Sequence, residues 1–332
     1  MSEDKKASQN FPHHVLDFLV DDSDSCALTV RAEDNVRMHI IADTDKLKKA
    51  SESGQSNTYN EFVKLVAAFR KSSEEGQTGS GHDSGVDVSE RTAGENKSDH
   101  ESSEDAEDAL QSWMLGPVRR RVTKQAQPTL GAWYDAETQF HELEISKKDE
   151  LVAVELEESS ELKRRMAKLK PEITLPKYIR EMHVPWFDPA QLTVLAASGS
   201  PPPYHPTEVR CKSTGKKYFF KAVDSLAPQS TKRELWHLSR IAKADLADQI
   251  RAPRLVGLVS TGNSKTHAIG FLQSDIPNPT PLTEKLDAEV PQEKRDAWAA
   301  EAERMKDKLH EHKIVWGDAK VRQLLLSWNA CG

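Results

Sequence analysis

Apolar residues in this chain recur every second position in some runs and at helical spacing in others, and the switches between the two predict its elements. After a short apolar patch, "HHVLDFLV", the runs "CALTVRA" and "VRMHIIA" flank "EDN", a turn between two strand-like stretches. "SNTYNEFVKLVAAF" then places Phe62, Leu65, Val66 and Phe69 on one helical face, with Ser56 or Asn57 as N-cap. "DALQSWMLGPV" predicts a short helix ended by Gly116 and Pro117. "FHELEI" and "ELVAVEL" alternate around "SKKD" as a β-hairpin, and "SSELKRRMAKLKPEI" reads as helical up to Pro171. A charged, proline-punctuated connector follows to Pro189.

From about Ala190 the order becomes hairpin, helix, hairpin, linker, helix, loop. "EVRCKS" and "KKYFFKAV" flank Thr214-Gly215, and "RLVGLVS" and "THAIGFLQSDI" flank "TGNSK". Between these pairs "STKRELWHLSRIAKADLADQI" carries Leu235, Leu238, Ile241 and Leu246 on one side of a helix. "VPQEKRDAWAAEAERMKDKLHEH" is a long helix with Pro291 near its start, where a missing N–H costs least, and with Trp298, Ala302, Met305 and Leu309 as its buried stripe.

Residues 73–108 contain no aromatic residue, Leu, Ile or Met. They cannot bury enough apolar surface to offset the entropy of ordering, so a disordered acidic linker is expected. Serines beside acidic residues in "HESSEDAED" suit an acidophilic kinase. The expected organisation is a small α+β region over 1–72, this linker over 73–108, a helix and hairpin extension over 109–189, and a further domain over 190–332.

Charge sharpens this division. Of 332 residues 37% are hydrophobic and 30% charged, and the formal charge is −7. Glu74 to Asp108 holds twelve acidic residues against Arg91 and Lys97, a net of −10, so the rest of the chain is weakly basic. Cys26, Cys211 and Cys331 are far apart, with no CxxC pair for a disulfide framework or a zinc ribbon. The opening "MSEDKKASQN" has no apolar signal core, and no run approaches the ~18 apolar residues of a membrane span. An intracellular protein, cytoplasmic or nuclear, with no membrane partner is expected. Arg119 to Arg121 lack interleaved aromatic residues, so nucleic acid is not an expected partner. "PPPY", Pro201 to Tyr204, fits the pattern bound by WW domains, and also a stiff polyproline link.

The candidate chemistry lies in the last third. Lys221 closes the strand-like "YFFKAV", and Glu234 lies thirteen residues on, one turn into the next helix. In "WGDAK", Asp318 follows a glycine and precedes Lys320 by two residues. This constellation resembles the protein-kinase-like superfamily over roughly Ala190 to Lys320. The text "STKREL…IRAPRLVGLV…GFL…LHEHKIVWGDAK" is similar to kinase-like proteins of fungi, with a Gly-Asp loop of the aminoglycoside-phosphotransferase type. The resemblance implies an α+β fold, a protein-kinase-like small lobe plus the start of a helical large lobe. It implies ATP and Mg2+ as cofactors, and transfer of a phosphoryl group to a protein or small-molecule hydroxyl. Lys221 would neutralise nucleotide phosphates and Glu234 would hold Lys221. Asp318 would orient the acceptor hydroxyl and take its proton, and Lys320 would offset charge on the migrating group.

The sequence also departs from the signature. Gln323 stands where a metal-binding Asn belongs, and magnesium tolerates displaced ligands badly. No Asp-Phe-Gly follows before "SWNACG", and the covering loop offers only Gly199 where several glycines would cradle phosphate. The expectation is therefore a C-terminally truncated kinase-like chain with impaired transfer. The alternative is a pseudokinase-like interaction module without catalysis.

Overall fold

The period-two runs become strands, and helices between them pack against the sheets the strands form. The computed structural model describes residues 13–51, 56–78, 97–118, 126–197, 205–262, 265–277, 280–286, 290–315 and 325–326. The architecture is mixed α+β and divides into two units. Unit 1 takes residues 1–126, 136–169 and 199–204, and unit 2 takes 127–135, 170–198 and 205–332. Among the described residues no helix is long and apolar enough to cross a membrane.

Unit 1 is built on a five-stranded sheet ordered β1 (His13–Val20), β2 (Cys26–Ala32), β3 (Arg37–Ala42), β4 (Thr138–Ile145) and β5 (Leu151–Leu156). All neighbours are antiparallel except β3 and β4, which run parallel. A parallel pair needs a crossover. It is supplied by the stretch holding α1 (Thr44–Ser51), α2 (Asn57–Thr78) and α3 (Lys97–Leu115). One sheet face carries Leu28, Val30, Met38, Ile40 and Leu143, packed with Leu47, Phe62, Val66, Leu110 and Met114 of the helices. The other face mixes polar and apolar residues, with Thr29, His39 and Phe140 buried. After β5 comes the short helix α5 (Ser160–Ala167), whose N-cap Ser159 side chain accepts a hydrogen bond from the Leu162 N–H.

Several expectations meet the structure here. Ser56 is the N-cap of α2: its Oγ accepts from Tyr59 N at 3.0 Å and donates to Asp149 Oδ1 at 2.5 Å. The apolar patch at His13 is a full strand, and the expected extension over 109–189 supplies β4 and β5 to the same sheet as residues 1–72. The expected unstructured stretch is entered by helices from both sides, α2 to Thr78 and α3 from Lys97, while 79–96 lies outside the described residues. In α3 the anchors Leu110 and Met114 hold the C-terminal turns in the core.

Unit 2 contains a six-stranded sheet ordered β7 (Trp186–Phe187), β11 (Leu255–Val259), β13 (Gly270–Ser274), β10 (Lys217–Ala222), β9 (Pro206–Cys211) and β8 (Leu192–Ala197). Both predicted hairpin turns place a glycine in the left-handed region, Gly215 and Gly262, each at φ 67°. The short α4 (Leu130–Tyr134) buries Leu130, Trp133 and Tyr134, and the residues before it pair with β8, where Val194 N donates to the Pro128 carbonyl. Against the opposite side lies α7 (Pro228–Lys243), which buries Leu235 and Leu238 among Val223, Leu258 and Phe271. Ile173 of β6 (Ile173–Thr174), Leu175 just after it, and Ile179 of α6 (Lys177–Arg180) complete this core. The connector before Pro189 is thus partly ordered: β6 pairs with β12 (His267–Ala268), and β7 runs parallel to β11.

The long helix α8 (Gln292–Glu311) begins after Pro291, as expected. Its stripe is buried only at the end. Leu309 is enclosed with Ile241, Leu246, Ile250 and Ile314, Met305 packs partly against them, and Trp298 and Ala302 stay half-exposed. Beyond α8, β15 (Leu325–Leu326) pairs antiparallel with β14 (Thr280–Pro281), so the last two residues of the apolar run "LLL" form a short strand.

Candidate functional site

The residue that alternation puts on the α7 side of β10 is Lys221. Its register partner is Phe271, a member of the core beneath α7, so the lysine emerges from the sheet beside that helix. Its Nζ donates to both carboxylate oxygens of Glu234, at 2.8 and 2.7 Å. Lys221 remains 47% exposed and Glu234 29%. Two of the three ammonium hydrogens therefore face Glu234, and one remains for another acceptor.

The turn from β10 into α7 sets this distance. Asp224 Oδ1 accepts from Leu226 N at 2.9 Å and Ala227 N at 2.8 Å, and the Asp224 N–H donates to the buried Thr231 Oγ1 at 3.0 Å. These short-range bonds fix the turn ahead of the helix, whose N-cap Ala227 makes no side-chain cap of its own, and Pro228 at its start has no N–H to leave unpaired. Leu235, next to Glu234, is fully buried, so the helix cannot rotate without moving a core side chain. Beneath the site Gly270 faces Ala222 in register, and a Cβ there would overlap the Phe220 ring and the Lys221 carbonyl.

Sequence reasoning missed Arg240. Its guanidinium donates to the carbonyls of Lys313 at 2.8 Å and His312 at 2.6 Å, and lies 4.6 Å over the Trp236 ring. It ties the last turns of α7 to the segment that leaves α8, just ahead of "IVWGDAK". An arginine one helical turn beyond a Trp was the only signal available, and it does not specify a carbonyl partner. Three residues before it, His237 is held below its ordinary pKa, by burial first and then by the charges of Arg240 and Arg233.

On the outer side of α7, Tyr178, Gln229, Lys232, Arg233 and Trp236 line an open cavity of about 300 Å3. Tyr178 and Trp236 are 52% and 40% exposed.

Of the six site residues expected from sequence, the structure brings Lys221 and Glu234 together. Gly199, Asp318, Lys320 and Gln323 lie outside the described residues, as do Arg119 to Arg121 and Pro201 to Tyr204. Among the described residues no group of three or more His, Cys, Asp or Glu is placed to hold a metal ion. No protein-family model matches the chain, and no curated protein matches it.

Proposed function

We propose that unit 2 holds the phosphates of ATP and belongs to a protein-kinase-like phosphotransferase. The observation that carries this reading is the bidentate pair between Lys221 on a strand and Glu234 on the following helix. Phosphoryl transfer needs positive charge fixed against the nucleotide, and a strand fixes it better than a loop. Glu234 restrains the lysine while leaving one N–H for a phosphate oxygen. The sheet order gives further support, since β10 lies between β13 and β9 and so carries Lys221 on an interior strand.

In the proposed reaction an acceptor hydroxyl oxygen bonds to the γ-phosphorus as the bond to the bridging oxygen of ADP breaks. Asp318 orients that hydroxyl and takes its proton, and Lys320 offsets charge on the transferred group. The acceptor is a protein or small-molecule hydroxyl. Magnesium would neutralise phosphate charge. Gln323 would offer magnesium an amide oxygen on a side chain one methylene longer than the Asn of the signature, so transfer should be slow relative to ATP binding.

Calorimetric titration of the whole chain with ATP and magnesium tests the reading. Binding in the range of about 10 µM to 1 mM, at least tenfold weaker in Lys221→Met, is expected. Lys221 is half-exposed, so the variant should melt within a few degrees of the parent. Absence of ATP binding, or equal binding by Lys221→Met, would sink the proposal. One observation favours the second reading, an interaction module without catalysis: two exposed aromatic residues stand beside basic side chains on α7. That module would bind its partner whether or not ATP is present.

A further inference from the structure

We infer that the groove between α6 and the outer face of α7 is a docking site for an acidic peptide bearing an apolar or aromatic side chain. The inference stands apart from the phosphotransferase reading, because the cavity is lined by neither Lys221 nor Glu234.

The helix does not need these residues for its own packing. Thr231, Leu235, Leu238 and Ile241 form the buried stripe of α7, and Trp236 lies off it, 40% exposed. Tyr178 of α6 is 52% exposed on the same cavity. Two large aromatic rings left in water beside each other are unusual for a packed surface, and such rings dominate the energetics of protein contacts. Trp236 is also held in place: Arg240 lies over its ring and is itself bonded to two carbonyls. A ring fixed in advance loses little entropy when a partner arrives.

Charge decides the class of partner. Lys232 and Arg233 line the cavity, and neither has an ion-pair partner among the described residues. The neighbouring Lys177 has one, Glu181 at 3.6 Å. Carboxylates on a partner would find two unpaired cations and the Gln229 amide around an aromatic cleft. The cavity of about 300 Å3 admits one or two side chains and lies at the small end of ligand pockets, which favours a peptide anchor over a large cofactor. A nucleic acid fits less well. Tight binding of a polyanion uses several phosphate contacts, and here two free cations stand on a chain of net charge −7.

The test is selection of a random dodecapeptide library on the intact chain, followed by fluorescence anisotropy with a selected peptide. The expected result is enrichment of Asp and Glu around an aromatic or Leu residue, with micromolar binding. The double variant Lys232→Glu/Arg233→Glu should weaken binding at least tenfold. The same charge change at the exposed hairpin, Lys212→Glu/Lys216→Glu, should alter it less than threefold. Trp236→Ala should also weaken binding at least tenfold, and Tyr178→Ala on the opposite wall provides the readout if that variant unfolds on a circular-dichroism melt. Enriched peptides without acidic residues, equal binding by the α7 double variant, or tighter binding of a 15-nucleotide single strand at the same residues would each overturn the inference.

Discussion

A lysine ammonium at the end of a strand sweeps through solvent unless a partner restrains it, and on β10 that partner is Glu234. Because the pair is partly exposed, it contributes about 1 kcal/mol or less to stability, and its value lies in direction. Glu234→Gln keeps the shape and removes the charge. On the proposed function, it should reduce ATP affinity about three- to tenfold, less than Lys221→Met, with an unchanged melting temperature; calorimetry on both variants checks the ranking. His39 in unit 1 makes a stability prediction of the opposite kind. It is fully buried, its Nδ1 lies 2.8 Å from Thr29 Oγ1, and burial pushes its pKa down to about 4, with Arg165 adding to the effect. In the unfolded chain the ring takes a proton near pH 6.5. Stability is therefore fully present above about pH 6.5 and falls as the pH drops toward 4, by about 3 kcal/mol for this one group. Asp17, raised by burial, acts in the other sense, so the clean measurement is a difference. Urea melts at pH 7 and pH 5 should show a smaller loss in His39→Gln than in the parent.

At the scale of elements, close approach between neighbouring strands supports the site. Gly270 leaves room for the Phe220 ring, and Phe220 precedes Lys221. Gly270→Ala should cost about 1–3 kcal/mol by overpacking and shift β10, so both thermal stability and ATP affinity should fall. A variant that melts like the parent would show that the sheet absorbs the extra methyl. The hairpins were readable because a two-residue period interrupted by "TG" or "EDN" has few other solutions. Residues Lys221 and Glu234 were readable for the same reason: strand and helix were both clear, so their separation followed. Other features were not readable in this way. A two-residue strand such as β7 has no period, and its place depends on the backbone of β11. The apolar spacing of Trp298 and Ala302 predicts a buried stripe, whereas burial depends on what lies opposite, and only the end of the stripe, Met305 and Leu309, meets a core. Exposed Tyr178 and Trp236 look like ordinary helix residues in sequence, since exposure is a property of the assembled surface.

For the molecule as a whole, sequence placed a domain boundary at Ala190, and the chain's division runs elsewhere. Unit 2 gathers 127–135 and 170–198 as well as the residues from 205 onward, and the sequence between them belongs to unit 1. Composition does not reveal this, because each inserted piece is too short to carry a signature. The consequence is testable with a fragment of residues 190–332. That fragment loses Leu130, Trp133 and Tyr134 of α4, the edge strand β7, and Ile173, Leu175 and Ile179 from the core under α7. At about 1.5–3 kcal/mol for each buried apolar side chain, the loss is on the order of 10 kcal/mol, comparable with the entire stability of a domain. The fragment should show no cooperative melt and should bind a dye specific for exposed apolar surface. A fragment of residues 127–332 retains every residue of unit 2, carries 136–169 and 199–204 of unit 1 with it, and should melt cooperatively. It should also keep ATP affinity within about threefold of the whole chain, since Lys221, Glu234, Asp224 and Arg240 all lie within it. A cooperative melt by residues 190–332 alone would mean that the sheet and α7 suffice, and that the earlier segments only decorate them.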